Sequence, residues 1–123
     1  MAHYLVTAKP DAGRMEELTE KLRNKEFEQL QPFGRALTYS LEHAKIDENG
    51  YWRWEELDFC SPPLAQEREA VLDRYFTLEH IEPVSEGAGW ALLEDYEDAL
   101  PEFTGGGLTD AKRVFSPRCL RSC

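Results

Sequence analysis

The stretch 43-HAKIDENGYWRWEELDFC-60 decides the fold. At its centre Asn49-Gly50 is the strongest short hairpin signal, because a two-residue turn needs residues that tolerate positive φ. Residues 36–46 and 51–60 therefore read as two antiparallel strands. A two-residue turn pairs Glu48 with Tyr51 and fixes the rest: Lys45 faces Trp54, His43 faces Glu56, Leu41 faces Asp58 and Tyr39 faces Cys60. This register is adopted over a four-residue Asp47–Gly50 loop, which sets Glu42 against Glu55, like charges directly opposite. Successive strand residues alternate faces. Tyr51, Leu57 and Phe59 then oppose Trp52, Trp54 and Cys60, so the strand carries large apolar groups on both sides.

Outward from the hairpin, 3-HYLVTA-8 is a short apolar run of strand formers ended by Lys9-Pro10. Asp11 is a candidate N-cap, and Met15, Leu18 and Leu22 recur at helical spacing, which predicts a helix over 12–30. The stripe falters at Asn24-Lys25 and resumes at Phe27 and Leu30, the mark of a kink or a second short helix, before Pro32 and Gly34. After the hairpin, Ser61 caps a second helix with Pro62 at its first position and Leu64, Val71, Leu72, Tyr75 and Phe76 as its buried stripe. The run 78-LEHIEPV-84 reads as a strand whose Pro83 suits a strand end or an edge. In 89-GWALLEDYEDALPEF-103 a short strand leads into a last helical turn. Gly105–Gly107 reads as a flexible joint, giving a domain over 1–103 and a basic tail over 104–123.

This order, βαββαβ, is the split βαβ arrangement of ferredoxin-like domains: an α+β fold with a four-stranded antiparallel sheet and two helices on one face. The first strand carries Tyr4, Val6 and Ala8 on one side and His3, Leu5 and Thr7 on the other. A sheet apolar on both sides calls for a second cover on the face the helices leave bare, and the usual cover is another copy of the chain. In 3-HYLVTA-8, the Asn49-Gly50 hairpin, the helix after 61-SPP-63 and 78-LEHIEPV-84, the chain resembles the dimeric α/β-barrel superfamily over residues 3–95. That resemblance implies a homodimer packed sheet to sheet. The superfamily includes metal-free small monooxygenases, haem-degrading enzymes, lactone isomerases and YCII-like proteins. No residues match one subfamily's motif, so no catalytic roles are carried over from it.

The hairpin register brings His43 against Glu56, and a carboxylate beside an imidazole raises its pKa and orients it, as a general base needs. Tyr39, Trp52 and Trp54 would wall a pocket for a planar ligand, with His43 and Glu56 as the catalytic pair. The plainer reading of such a pair is a solvated cross-strand contact. Glu79, His80 and Glu82 form a second polar cluster, in which His80 and Glu82 share a strand face. Their spacing names no metal, and exposed strand polar groups are the plainer reading. Haem would require His80 or His43 aimed into a porphyrin-wide slot; otherwise no cofactor is expected. His3 is read as incidental, and the acidic run around Tyr96 as a solvated face.

Composition bounds these readings. The chain has 123 residues and a net charge of -10, which excludes the basic footprint that duplex nucleic acid or an anionic membrane requires. Residues 104–123 hold one acid and four bases, a net +3, leaving -13 on residues 1–103. No apolar run approaches the ~20 residues that span a bilayer, and the N-terminal residues do not read as a secretory leader. Cys60, Cys119 and Cys123 are odd in number and make no disulfide framework, so a cytoplasmic setting is expected. Two functions follow: a cofactor-independent oxygenase or isomerase acting on a planar small molecule, or a non-enzymatic protein whose aromatic sheet face is a dimer seam.

Overall fold

A computed structural model describes residues 2–58 and 64–104. The chain folds as β1 (Ala2–Pro10), α1 (Met15–Arg23), α2 (Gly34–Glu42), β2 (Lys45–Ile46) and β3 (Trp52–Asp58). A helical stretch follows, built of α3 (Ala65–Glu67), a π-helical turn (Arg68–Leu72) and α4 (Asp73–Tyr75). Then come β4 (Phe76–Val84), α5 (Ala88–Leu92), β5 (Glu97–Asp98) and α6 (Pro101–Thr104). The strands form one antiparallel sheet of five strands in the order β4-β1-β3-β2-β5. The sheet gains a fifth short strand beyond the four expected. Among the described residues no helix is long and apolar enough to cross a membrane.

The largest departure from the sequence reading lies in the first arm of the hairpin. Residues 34–42 are helix α2, and only Lys45 and Ile46 pair with β3. Leu37, Leu41 and Ala44 are fully buried. Their spacing of four and three fits a helical stripe as well as Leu37, Tyr39 and Leu41 fit alternation, and burial of the stripe decides for the helix. The turn takes neither register considered. Lys45 pairs with Arg53 and Ile46 with Trp52, which leaves three residues, Glu48–Gly50, in the loop. Gly50 N–H donates to Asp47 O at 2.9 Å, and Gly50 sits at φ +85°, the left-handed step that completes a three-residue hairpin loop. The Asp47 carboxylate fixes the loop by accepting from the backbone of Asn49 (2.9 Å) and Tyr51 (3.0 Å).

Both tryptophans of β3 face the core. Trp54 pairs with Val6 and Trp52 with Ala8, and Phe76 wedges between the two indoles at centroid distances of 5.2 and 5.3 Å. Leu18 and Leu22 of α1, Leu37 and Leu41 of α2, and Leu64, Val71, Leu72 and Tyr75 close over them. Helix α1 stops at Asn24, Lys25 turns left-handed at φ 58°, and a short 3-10 turn at Glu26–Gln29 brings Phe27 back to the core. The single helix expected over 12–30 is thus split where its stripe falters. Tyr75 donates its hydroxyl to Glu17 Oε2 at 2.7 Å, tying α4 to α1. Burial, helped by that bond, pushes the Tyr75 pKa up to about 12.

The stripe expected after residue 63 is buried at Leu64, Val71, Leu72, Tyr75 and Phe76, but Leu64 precedes the helix at φ 60° and Phe76 opens strand β4. The Ser61 cap, Pro62, Phe59 and Cys60 lie outside the described residues. Strand β4 forms one edge of the sheet, a position that suits Pro83. Residues 88–92 are helix rather than strand, and the short strand comes later, at 97–98. Thr104, assigned to the tail by composition, ends α6 and hydrogen-bonds Asp98 Oδ2 at 2.8 Å. Residues 105–123 lie outside the described residues.

Candidate functional site

The expected His43–Glu56 pair does not form. His43 caps the C-terminus of α2, its Nδ1 2.9 Å from Tyr39 O and its ring stacked on Tyr39 at 4.0 Å. Glu56 pairs with Tyr4 on the core face and is fully buried. Trp52 and Trp54 are core residues rather than pocket walls, since the helices cover the face they occupy. His80 stands exposed on the edge strand with its Nε2 3.0 Å from Glu82 Oε1, on one strand face as the alternation requires. Among the described residues no group of three His, Cys, Asp or Glu is placed to hold a metal ion.

A histidine–glutamate pair exists elsewhere, on the outer face of the sheet. Strand β1 pairs His3 with Leu57 and Leu5 with Glu55, so His3 and Glu55 are diagonal neighbours on one face. His3 Nδ1 lies 3.1 Å from Glu55 Oε2. The same carboxylate gathers the start of α5: Oε2 accepts from Gly87 N–H at 2.8 Å, and Oε1 from Gly89 N–H at 2.8 Å and Trp90 N–H at 3.2 Å. Glu55 is only 4% exposed, and these donors replace the water it gives up. Gly89 permits the approach, because a Cβ there would stand 2.9 Å from Glu55 Oε1 and 3.1 Å from Glu55 Cβ. Beyond Arg53 the outer edge of β3 passes under α2, where Ser40 Oγ donates to Glu55 O at 2.7 Å.

These elements enclose a cleft of about 310 Å³ between α2 and α5, with His3, Tyr39, Ser40, Leu57, Glu86 and Trp90 on its walls. That is the lower end of small-molecule sites. Tyr39 and Trp90 meet edge to face at 6.3 Å, forming an aromatic corner, and Tyr39 is 55% exposed at its rim. With Nδ1 held by Glu55, the imidazole presents Nε2 for proton exchange. A wider hollow of about 770 Å³ flanks the hairpin tip at Asp47, Gly50, Arg53 and Tyr96. Its central carboxylate, Asp47, already holds two turn amides and the Arg53 guanidinium at 3.2 Å.

On the core face a third acid stands in contrast. Glu56 Oε1 accepts from Trp54 Nε1 at 3.0 Å, while its Oε2 has no hydrogen-bond partner among the described residues. Burial pushes the Glu56 carboxyl well above the usual carboxylate range, the nearby Glu67 adds to the rise, and the Trp54 bond offsets part of it. An acid buried in the core with its ionisation disfavoured is poorly placed to meet a substrate.

Of the residues picked from sequence, Tyr39 alone reaches the cleft; His3, Glu55 and Trp90 were missed. Alternation alone put His3 with Leu5 and set Glu55 beside Leu57, so the β1–β3 register was the absent signal. Compared with known proteins, the chain matches no family model, no curated sequence and no solved structure.

Proposed function

We propose that the protein binds a small planar molecule in the cleft between α2 and α5 and moves a proton on it, with His3 as acid/base and Glu55 as the residue that orients it. The observation that carries this reading is the His3–Glu55 pair in the cleft wall, its carboxylate pinned by three backbone amides. Pinning matters because a general base is effective only when its lone pair is held in line with the substrate proton. An isomerisation fits these parts: His3 Nε2 removes a proton beside a carbonyl, Glu55 balances the imidazolium, and the same proton returns at a second atom. The cofactor-independent oxygenase reading shares the first step and takes dioxygen as its second substrate.

The finer architecture belongs to the same proposal: a cytoplasmic homodimer of ferredoxin-like subunits. The strand order β4-β1-β3-β2 favours the ferredoxin-like arrangement. Val84, half-buried on the outer face beside Leu5, favours a sheet-to-sheet contact. Equilibrium sedimentation of the full chain at tens of micromolar tests it: a two-chain mass is expected, and a monomer overturns the dimer.

The test of the chemistry is hydrogen–deuterium exchange of 2-tetralone in D2O, followed by NMR. Protein-dependent exchange is expected, lost in His3→Ala and retained in His43→Ala. Exchange at the wild-type rate in His3→Ala would overturn the assignment.

A further inference from the structure

From the charge and shape of the cleft we infer that its ligand is a planar aromatic cation, a protonated amine on a flat ring system, rather than a neutral or anionic molecule. This rests on the reading of the cleft as a binding site and narrows it to a chemical class. Among the described residues neither lysine nor arginine lines the cleft, so these walls offer no fixed positive charge to a carboxylate or phosphate. Glu86, exposed at the rim on the turn before α5, is instead the charge such a ligand meets first. Glu55 adds a second carboxylate behind it, already engaged by His3 and three amides.

The aromatic corner points the same way. Tyr39 and Trp90 meet at an interplanar angle of 84°, so a flat ring lying against one presents its edge to the other. An ammonium group held near the two rings gains cation–π attraction, and a carboxylate there is repelled by the same ring faces. Leu57 supplies the apolar floor and the His3 ring a further flat surface. The volume, about 310 Å³, takes a two-ring system with a short arm. The net charge of -10 adds a general pull on cations. At 0.15 M salt that pull is screened beyond about 8 Å, so selectivity measured there reports the cleft itself.

The experiment is isothermal titration calorimetry of the full chain in 0.15 M salt at pH 7 with 2-naphthylmethylamine, 2-naphthylmethanol and 2-naphthoate, three probes with one ring system and charges of +1, 0 and -1. The amine is expected to bind roughly five- to tenfold tighter than the alcohol, the gain of one cation–π contact and one exposed ion pair, and the naphthoate weakest. Glu86→Gln should cut the amine's advantage to the roughly two- to fivefold that the cation–π contact alone supplies, with the alcohol's affinity changing far less. Tyr39→Ala, at an exposed position that carries little of the fold, should weaken both. Equal affinities for amine and alcohol, tighter binding of the naphthoate, or an amine advantage undiminished by Glu86→Gln would overturn the cationic class while leaving the cleft as a site. Failure of all three probes to bind would overturn the reading of the cleft itself.

Discussion

Glu55 and Glu56 are neighbours in sequence and opposites in the fold. Both are buried, at 4% and 0% exposure, yet alternation along β3 sends one to each face of the sheet. Glu55 meets three backbone amides and an imidazole; Glu56 meets one indole N–H and a second glutamate. The first is an anchor that holds α5 against the sheet and a histidine beside a cleft. The second is an acid whose ionisation the core disfavours. Burial alone therefore says little about what a carboxyl does; the donors that replace its water decide it.

The sharpest break in that comparison should come from the core side. Trp54→Ala removes a fully buried indole that touches Phe76 and holds Glu56. It should cost about 3–5 kcal/mol, read as a lowered denaturant midpoint. On the outer side, Glu55→Ala leaves three amides at the start of α5 without their acceptor, which should cost about 2–3 kcal/mol. The two losses should differ in kind. Faster amide exchange at Gly87, Gly89 and Trp90 is expected for Glu55→Ala, and a global loss for Trp54→Ala.

The third prediction concerns pH. Because the folded state holds Glu56 above the usual carboxylate value of 4.5, the folded protein keeps a proton there that the unfolded chain releases. Its contribution is present in full below that value and is shed as pH rises through the raised folded value. Glu56→Gln, which cannot ionise, should therefore gain on the wild type by up to about 1.4 kcal/mol per pH unit above 4.5. A difference that shrinks with rising pH would contradict the neutral acid. The smallest effect is expected at the helix cap: His43→Ala forfeits its stacking on Tyr39 and should cost less than about 1 kcal/mol.

Much of the inner layer was legible in the sequence. The run 3-HYLVTA-8 and the strand 78-LEHIEPV-84 stand where their patterns put them, and the stripe from Leu64 to Phe76 is buried as expected, although Leu64 precedes α3 and Phe76 already opens β4. Residues 36–46 fit two periods, and which one holds is settled by Leu37, Leu41 and Ala44 meeting the core, a tertiary fact. Trp90-Ala91-Leu92-Leu93 is a continuous apolar run of the kind that strand and helix share, and α5 owes its place to Glu55, 35 residues earlier in the chain than Trp90. The site followed the same rule. Tyr39 reached the cleft by way of a helix instead of a strand, and the His–Glu pair was sought across the hairpin when the diagonal of β1 and β3 supplies it.

The most direct measurement uses the three tryptophans, each with a single indole N–H, as reporters of the two faces. In a two-dimensional 1H–15N spectrum titrated with 2-naphthylmethylamine, the Trp90 indole and the Gly87 and Gly89 amides should shift saturably. The Trp52 and Trp54 indoles should stay in place. Saturable shifts at Trp52 or Trp54 with Trp90 unmoved would put the ligand on the other side of the sheet and contradict the site at His3 and Glu55.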